Sequence, residues 1–329
     1  MTTSATFLNR RIYRRAYALL AVQGVAHTPV SDFTAAASLF LREFMIDPQA
    51  DKPYSMGGEA KPYRVTPGRF LSSVKPVAHG IGLATPKMIE ALLRSWGGTW
   101  TAIGGGQYTL ALTENLNEYA TLGLVENKDL ASTEKFVRVW DSWAHRIVLR
   151  LRPGMDAVEA EVQFAARDYD RTPMNALGGI TLPASFAPAG MSEVFAPHSI
   201  RLFRDPAGAN VSIACEELDL EFDQGFIHEN FCDIKPLVKK TGYTTIKLRL
   251  KGSVSDETYA ITSDAEAVTF KRFLATFTSK AGKVFSVDLK HMDFSVNPIG
   301  WQGGRFEFIV EGEAFMDPAE TFVTITNTP

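Results

Sequence analysis

The stretch IKLRLKG, residues 246–252, sets Ile246, Leu248 and Leu250 against Lys247, Arg249 and Lys251 with a period of two. Side chains alternate between faces along a strand, so this segment reads as a β-strand with one face in a core and three cations on the other. Just upstream, ELDLEFDQG at 217–225 alternates in the same way with the opposite sign: Leu218, Leu220 and Phe222 lie between Glu217, Asp219, Glu221 and Asp223. Four carboxylates stacked along one face repel one another, so the acidic strand needs an opposite-charge neighbour or open water. The basic strand supplies that neighbour. The two are expected to pair, each cross-strand ion pair contributing about 0.2–1 kcal/mol and the charges setting the register. An echo, IVLRLRPG at 147–154, carries Arg150 and Arg152 in the same alternating form.

A chain of 329 residues exceeds the usual single-domain size, which predicts two domains, 1–189 and 190–329. The composition, 45% hydrophobic and 22% charged, is that of a globular protein; 17 prolines and 25 glycines among β-branched and aromatic runs favour strands and turns. A net charge of -3 provides no whole-molecule attraction to nucleic acid or to an anionic membrane. Cys215 and Cys232 allow at most one bridge, so they read as reduced thiols rather than a secreted disulfide framework. Arg10, Arg11, Arg14 and Arg15 before AYALLAVQGVA imitate a signal peptide, but the apolar part is short and carries Tyr17 and Gln23. No apolar run approaches the length needed to span a bilayer.

The strongest helix signal is TPKMIEALLRSWGG at 85–98. Thr85 is the cap, Pro86 suits the first turn, Ile89, Leu92, Leu93 and Trp96 share a face, and Gly97 ends it. DAEAVTFKRFLATFTSKAG at 264–282 repeats the spacing with Asp264 as cap and Phe270, Phe273, Leu274 and Phe277 as the apolar face. An offset of 181 residues superposes these two segments. Alternating runs follow each, YTLAL at 108–112 and FSVDL at 285–289; Val158, Ala160, Val162 and Phe164 then match Phe306, Phe308 and Val310. Two diverged copies of a strand, helix, strand unit are therefore expected. An offset of 99, which would superpose the echo, sets the second segment on ARDYDRTPMNALGGIT, which has no helical period; the echo is strand chemistry, not the repeat. Pro173, Pro183, Pro188, Pro197 and Pro206 mark the expected boundary near residue 190, and the segments 47–67 and 113–133 read as long loops.

No constellation for chemistry emerges. The glycines in AIGGGQYT precede a strand and lack the Lys and Ser or Thr of a phosphate loop, so they read as a turn. AHGIGLATP lacks the third glycine of a dinucleotide fingerprint. His228, Glu229, Cys232 and Asp233 in FIHENFCD match no zinc spacing, and the six histidines, at 27, 79, 145, 198, 228 and 291, are scattered. Trp96, Trp100, Trp140, Trp143 and Trp301 read as core or interface anchors, since no basic clusters interleave with them. No catalytic, cofactor-binding or metal-binding residues are expected.

Nearly the whole chain resembles the tail tube (major tail) proteins of long, noncontractile-tailed bacteriophages. The resemblance runs from RRAYALLAVQGVAHTPVSDFTAAASLFLRE (14–43) through the first helix, KFVRVWDSWAHRIVLRLRPG (135–154) and AVEAEVQFAARD (157–168). It continues with VSIACEELDLEFDQG (211–225), TTIKLRLKG (244–252), the second helix and GRFEFIVEGEAF (304–315). Gln23 and Gly24 stand where the family usually has Tyr-Gly. The resemblance implies a mainly β fold of two tandem tail-tube-like β-sandwich or barrel domains, each with one flanking α-helix. It implies a non-enzymatic structural virion protein, assembled in the host cytoplasm into rings that stack as the tube for genome ejection. Implied partners are further copies of the chain, three making a pseudo-sixfold ring, with a tape measure protein in the lumen and tail terminator and distal tail or baseplate proteins at the ends. Double-stranded DNA passes without specific binding, and no membrane is involved. The acidic strand then has a second possible position, lining the lumen. Related tubes of gene transfer agents or type VI secretion, or a carbohydrate-binding β-sandwich, are the alternatives; for the last no aromatic platform is evident.

Overall fold

In the computed structural model of the chain, the acidic and basic segments pair as antiparallel strands, with Glu217 opposite Lys251, Asp219 opposite Arg249 and Glu221 opposite Lys247. The structure describes residues 17–34, 36–39, 41–47, 50–51, 73–96, 99–104, 107–111, 119–126, 135–173, 180–183, 193–196, 201–205, 211–213, 215–229, 235, 237–254, 256–266, 271–295, 300–302, 305–314 and 323–327.

The chain forms β1 (Tyr17–Gln23), β2 (Ala37–Leu39), β3 (Leu41–Asp47), the short pair β4 (Ala50–Asp51) and β5 (Ser73–Val74), then β6 (Val77–Leu83) and helix α1 (Pro86–Trp96). The hairpin β7 (Thr99–Gly104) and β8 (Gln107–Ala111) precedes β9 (Tyr119–Glu126), β10 (Lys135–Leu151), β11 (Glu159–Ala165) and β12 (Asp168–Pro173). After β13 (Arg201–Asp205) and β14 (Val211–Ile213), β15 (Glu217–Glu229) and β16 (Leu237–Ser253) lead to α2 (Asp256–Glu266). The strands β17 (Lys271–Thr278), β18 (Val284–Ser295), β19 (Gly300–Gln302), β20 (Arg305–Ala314) and β21 (Val323–Asn327) follow. The protein is mainly β, and among the described residues no helix is long and apolar enough to cross a membrane.

The backbone of the fold is one antiparallel run in the spatial order β3, β6, β11, β10, β15, β16, β20, β18. Its inner face follows from alternation: Ile147, Leu149, Leu218, Leu220, Phe222, Ile246, Leu248 and Leu250 are all buried. Helix α1 packs on this side. Thr85 accepts the Met88 amide at 3.3 Å as the cap, and Met88, Ile89, Leu92, Leu93 and Trp96 are buried. Trp96 meets Phe222 edge to face at 5.4 Å, and Trp143 Nε1 donates to the Trp96 carbonyl at 3.0 Å.

The 17-residue strand β10 belongs to two layers. Its first part pairs with β9 and β12, with β1 and β2 beyond β9, while its last part pairs with β11 and β15. Between them the register slips at Val139/Ser142, and Asp141 takes a positive φ of 48°. On β9, Gly123 is required by packing: a Cβ there would come within 2.7 Å of the Phe136 ring.

Several expectations need correction. The segment 264–282 is not one helix: its first three residues end α2, and Lys271–Thr278 is a strand. The second helix is α2, which starts eight residues earlier in sequence, and most of the expected face lies in strand β17, where Phe273, Ala275 and Phe277 are buried with period two. Positions i and i+4 satisfy both periods, so Phe273 and Phe277 fit a helix as well as a strand, and small Ala275 concealed the alternation. The offset of 181 fails with it. The loop expected at 113–133 contains β9, whose Ala120, Thr121, Leu122 and Val125 are buried; burial on both faces erased the polar alternation. No barrel forms: among the described residues the pairings branch at β10, β18 and β20 and never return to their start. Two tandem domains are not confirmed: among the described residues the largest buried cluster includes residues from Ala18 to Ala314, and β10 pairs with β15 across the expected division. Residue 190 itself lies outside the described residues, as does most of the segment 47–67.

Candidate functional site

The outer face of the long sheet carries its charges in columns. Because directly paired residues share a face, the register fixes which charges meet. Strand β15 contributes Glu217, Asp219, Glu221 and Asp223. It lies between β16, with Lys247, Arg249 and Lys251, and β10, whose Arg146 and Arg150 stand opposite Asp223 and Asp219. The echo segment is thus the acidic strand's second cationic neighbour, a contact the sequence did not reveal. Beyond β10, β11 adds Glu159 and Glu161; beyond β16, β20 adds Glu311 and Glu313, and β18 adds Asp293. Glu43 and Asp47 of β3 complete the face at its first edge. With Arg152, just past β10, eleven carboxylates face six cations among the described residues.

Five of the six cations are tied down. Arg146 Nε lies 2.6 Å from Glu221, Arg152 Nη2 2.6 Å from Asp219, Arg249 Nε 3.2 Å from Glu311 and Lys251 Nζ 3.6 Å from Glu217; Arg150 pairs with Glu161. Burial pushes the Glu161 carboxyl up, but Arg150, hydrogen bonds from His79 and Gln163, and Arg146 together hold it below its usual range. Asp223 goes the other way. Burial and then the neighbouring Glu221 charge raise its carboxyl against the pull of Arg146 and Lys247. At the far end, Asp219, Glu221, Lys247, Arg249, Asp293, Ser295, Glu311 and Glu313 line an open groove of about 540 Å³. Acceptors outnumber donors there, so the groove disfavours anions.

A second polar cluster sits where β10 changes layers. Asp141, 3% exposed at its side chain, accepts the His27 amide at 2.8 Å, Gln23 Nε2 at 2.5 Å and a contact from His27 Nδ1 at 2.6 Å. Gln23 Oε1 in turn accepts the Asp141 amide at 3.0 Å and the Thr121 hydroxyl at 3.1 Å, and the Arg167 guanidinium lies against the His27 ring. His27, with φ of 65°, and Asp141 are the described non-glycine residues with positive φ. The Thr121 hydroxyl donates to Gln23 and not to the His27–Asp141 pair. The cluster fastens the turn after β1 to the bulge of β10. Its one sequence signal was Gln23–Gly24, noted only as a departure from the tail tube pattern.

The other candidates are dispersed. His228 Nε2 donates to the Ala166 carbonyl at 3.1 Å, while Cys232 and Asp233 lie outside the described residues. Among the described residues no group of three His, Cys, Asp or Glu is arranged to hold a metal ion. The glycines of AIGGGQYT join β7 to β8, and Gly80 and Gly82 lie within β6. Trp96 and Trp143 are core residues, and Trp140 carries the Arg138 guanidinium 5.4 Å from its ring centroid. Burial pushes the Cys215 thiol up to about 11, which leaves it protonated and unreactive near neutrality. No family model matches the chain, and no curated protein matches it.

Proposed function

We propose that the chain is the subunit of a tail tube of the kind built by long, noncontractile-tailed bacteriophages, a structural virion protein whose rings stack into a conduit for outgoing DNA. The observation that carries this reading is the outer face of the long sheet, a charge-rich surface with eleven carboxylates to six cations among the described residues. Arg146, Arg150, Arg152, Arg249 and Lys251 each stand within 4.0 Å of a carboxylate. A DNA conduit must not hold phosphates, and a lining of uncommitted cations would do so through counterion release. Here pairing and lining are one property: the acidic strand takes its ladder partners from both sides and still leaves a surplus of negative charge. On this reading three chains form each ring, the tape measure protein occupies the lumen during assembly in the host cytoplasm, and terminator and distal tail proteins close the ends. Negative-stain microscopy of the purified chain at high concentration is the test. Rings or tubes with an open lumen are expected; monodisperse globules at every concentration and ionic strength would overturn the reading.

A further inference from the structure

Beyond the long sheet, β15 and β16 run on together as a two-stranded arm. Among the described residues the pairing of β15 with β10 ends at Asp223, opposite Arg146, whereas β15 and β16 stay paired as far as Glu229, opposite Leu237. Two register shifts set the course of the arm. One passes over Gly225, between Gln224 and Phe226 of β15; the other passes over His145, between Ala144 and Arg146 of β10. The arm then rests on the corner where β11 gives way to β12.

Little holds it there. Phe226 packs on a small buried cluster, Trp143, Ala165 and Val238, which is separate from the main core. His228 Nε2 donates to the Ala166 carbonyl at 3.1 Å, and Lys235, between the two strands of the arm, pairs with Asp168 at the start of β12. The Phe226 ring stands between two imidazoles. His145, at the bulge of β10, lies 4.4 Å from it, and His228 meets it edge to face at 5.3 Å. Neutral imidazoles suit this apolar seat; two imidazolium charges in it, close together and poorly hydrated, do not.

We propose that the arm is an acid-released latch: charging His145 and His228 unseats Phe226 and frees the arm from the β11–β12 corner, while the long sheet stays paired. Release uncovers Trp143 and Ala165, so the molecule gains an apolar patch at low pH. The latch stands apart from the tube reading, since no step of it needs a second chain. The charges around the two rings favour opening. Arg146 adjoins His145 on β10, Lys75, just before β6, faces His228, and Lys239 and Lys240 stand opposite Ile227 and Phe226 in the register of β16. On the acidic side, Glu221 engages Arg146, Asp168 pairs with Lys235, and Glu229 follows His228 along β15. Burial, then Arg146 and His228, lowers His145 from 6.5 to about 4; burial lowers His228 as well, with Lys75 and against its bond to Ala166. Both rings therefore titrate lower in the closed arm than in the open one. The stability that they lend to closure is complete above 6.5 and is lost as pH falls towards 4.

Amide hydrogen exchange of the full chain at pH 7 and pH 5, corrected for the intrinsic pH dependence of exchange, tests the latch. Linkage through His145 alone allows protection at 226–229 and 237–240 to fall by up to about twentyfold, with 218–222 unchanged. The double variant His145→Phe with His228→Gln, which keeps a donor for the Ala166 carbonyl, should hold the protection of the arm at pH 5 at its pH 7 value. Protection lost equally from arm and sheet, or equal at both pH values, would overturn the proposal, as would a loss in the arm that persists in the double variant. Histidine ring NMR of the unsubstituted chain supplies a check that needs no variant to fold. The His145 and His228 resonances should titrate below 6.5 in step with the loss of protection in the arm; titration near 6.5 with the arm unchanged would refute the latch.

Discussion

Asp219 shows how a residue's role depends on neighbours that its own segment does not name. Its cross-strand partner by register is Arg249, but Arg249 Nη1 stays 3.9 Å away, whereas Arg152, from beyond β10, reaches it at 2.6 Å. A double-mutant cycle of Arg152→Ala with Asp219→Ala should therefore give a coupling of about 0.5–1 kcal/mol by urea denaturation, reduced by the partial exposure of the guanidinium. The cycle with Arg249→Ala should give close to none. His145 makes a different prediction. Burial, then Arg146 and His228, lower its pKa from 6.5 to about 4, and its ring packs 4.4 Å from that of Phe226. The folded protein thus favours the neutral ring. Its contribution is complete above the unfolded value of 6.5 and is lost as pH falls from there towards 4, with a slope of at most about 1.4 kcal/mol per pH unit. His228 is shifted in the same direction, by burial first, against its hydrogen bond to Ala166. Denaturation midpoints at pH 7 and pH 5 should differ, and His145→Gln should narrow the difference; no change in that difference would refute the assignment.

Helix α1 was legible because its cap, its first-turn proline and its apolar face all lie within twelve residues, and all agree. Thr85→Ala should cost about 1 kcal/mol, read from chemical denaturation, because the Met88 amide then loses its acceptor in a buried setting. Helix α2 has no such agreement. Only Ile261 among its described side chains is fully buried, Tyr259 is half exposed, and no basic residue offsets the dipole in its last turn. Its position follows from the chain leaving β16 and having to return to β17, not from amphipathic spacing. The aromatic run that imitated a helix became β17 because β13 and β18 flank it on both edges and pair with it. Likewise β9 carries no clean alternation, since β1 and β10 enclose it and both of its faces are covered.

Across the whole molecule, the shared core and the β10–β15 junction predict one cooperative unfolding transition instead of two. Calorimetry of the full chain should give equal calorimetric and van't Hoff enthalpies, and residues 190–329 expressed alone should lack dispersed amide resonances, because Leu218, Leu220 and Phe222 would lose the β10 side of their packing. Two resolved transitions would restore the division into separate domains. The sequence alone determined the mainly β character, the strand nature and opposite signs of the segments 217–225 and 246–252, their mutual pairing and the first helix. Each of these rests on a period or a charge pattern contained in one short segment, or on two segments close in sequence. Tertiary structure alone decided that 147–154 is the other neighbour of the acidic strand, that β10 serves two layers through the bend at Asp141, and that the sheet stays open. These depend on which distant edges meet, and edge pairing is carried by backbone groups common to every residue, so side-chain periodicity does not encode it.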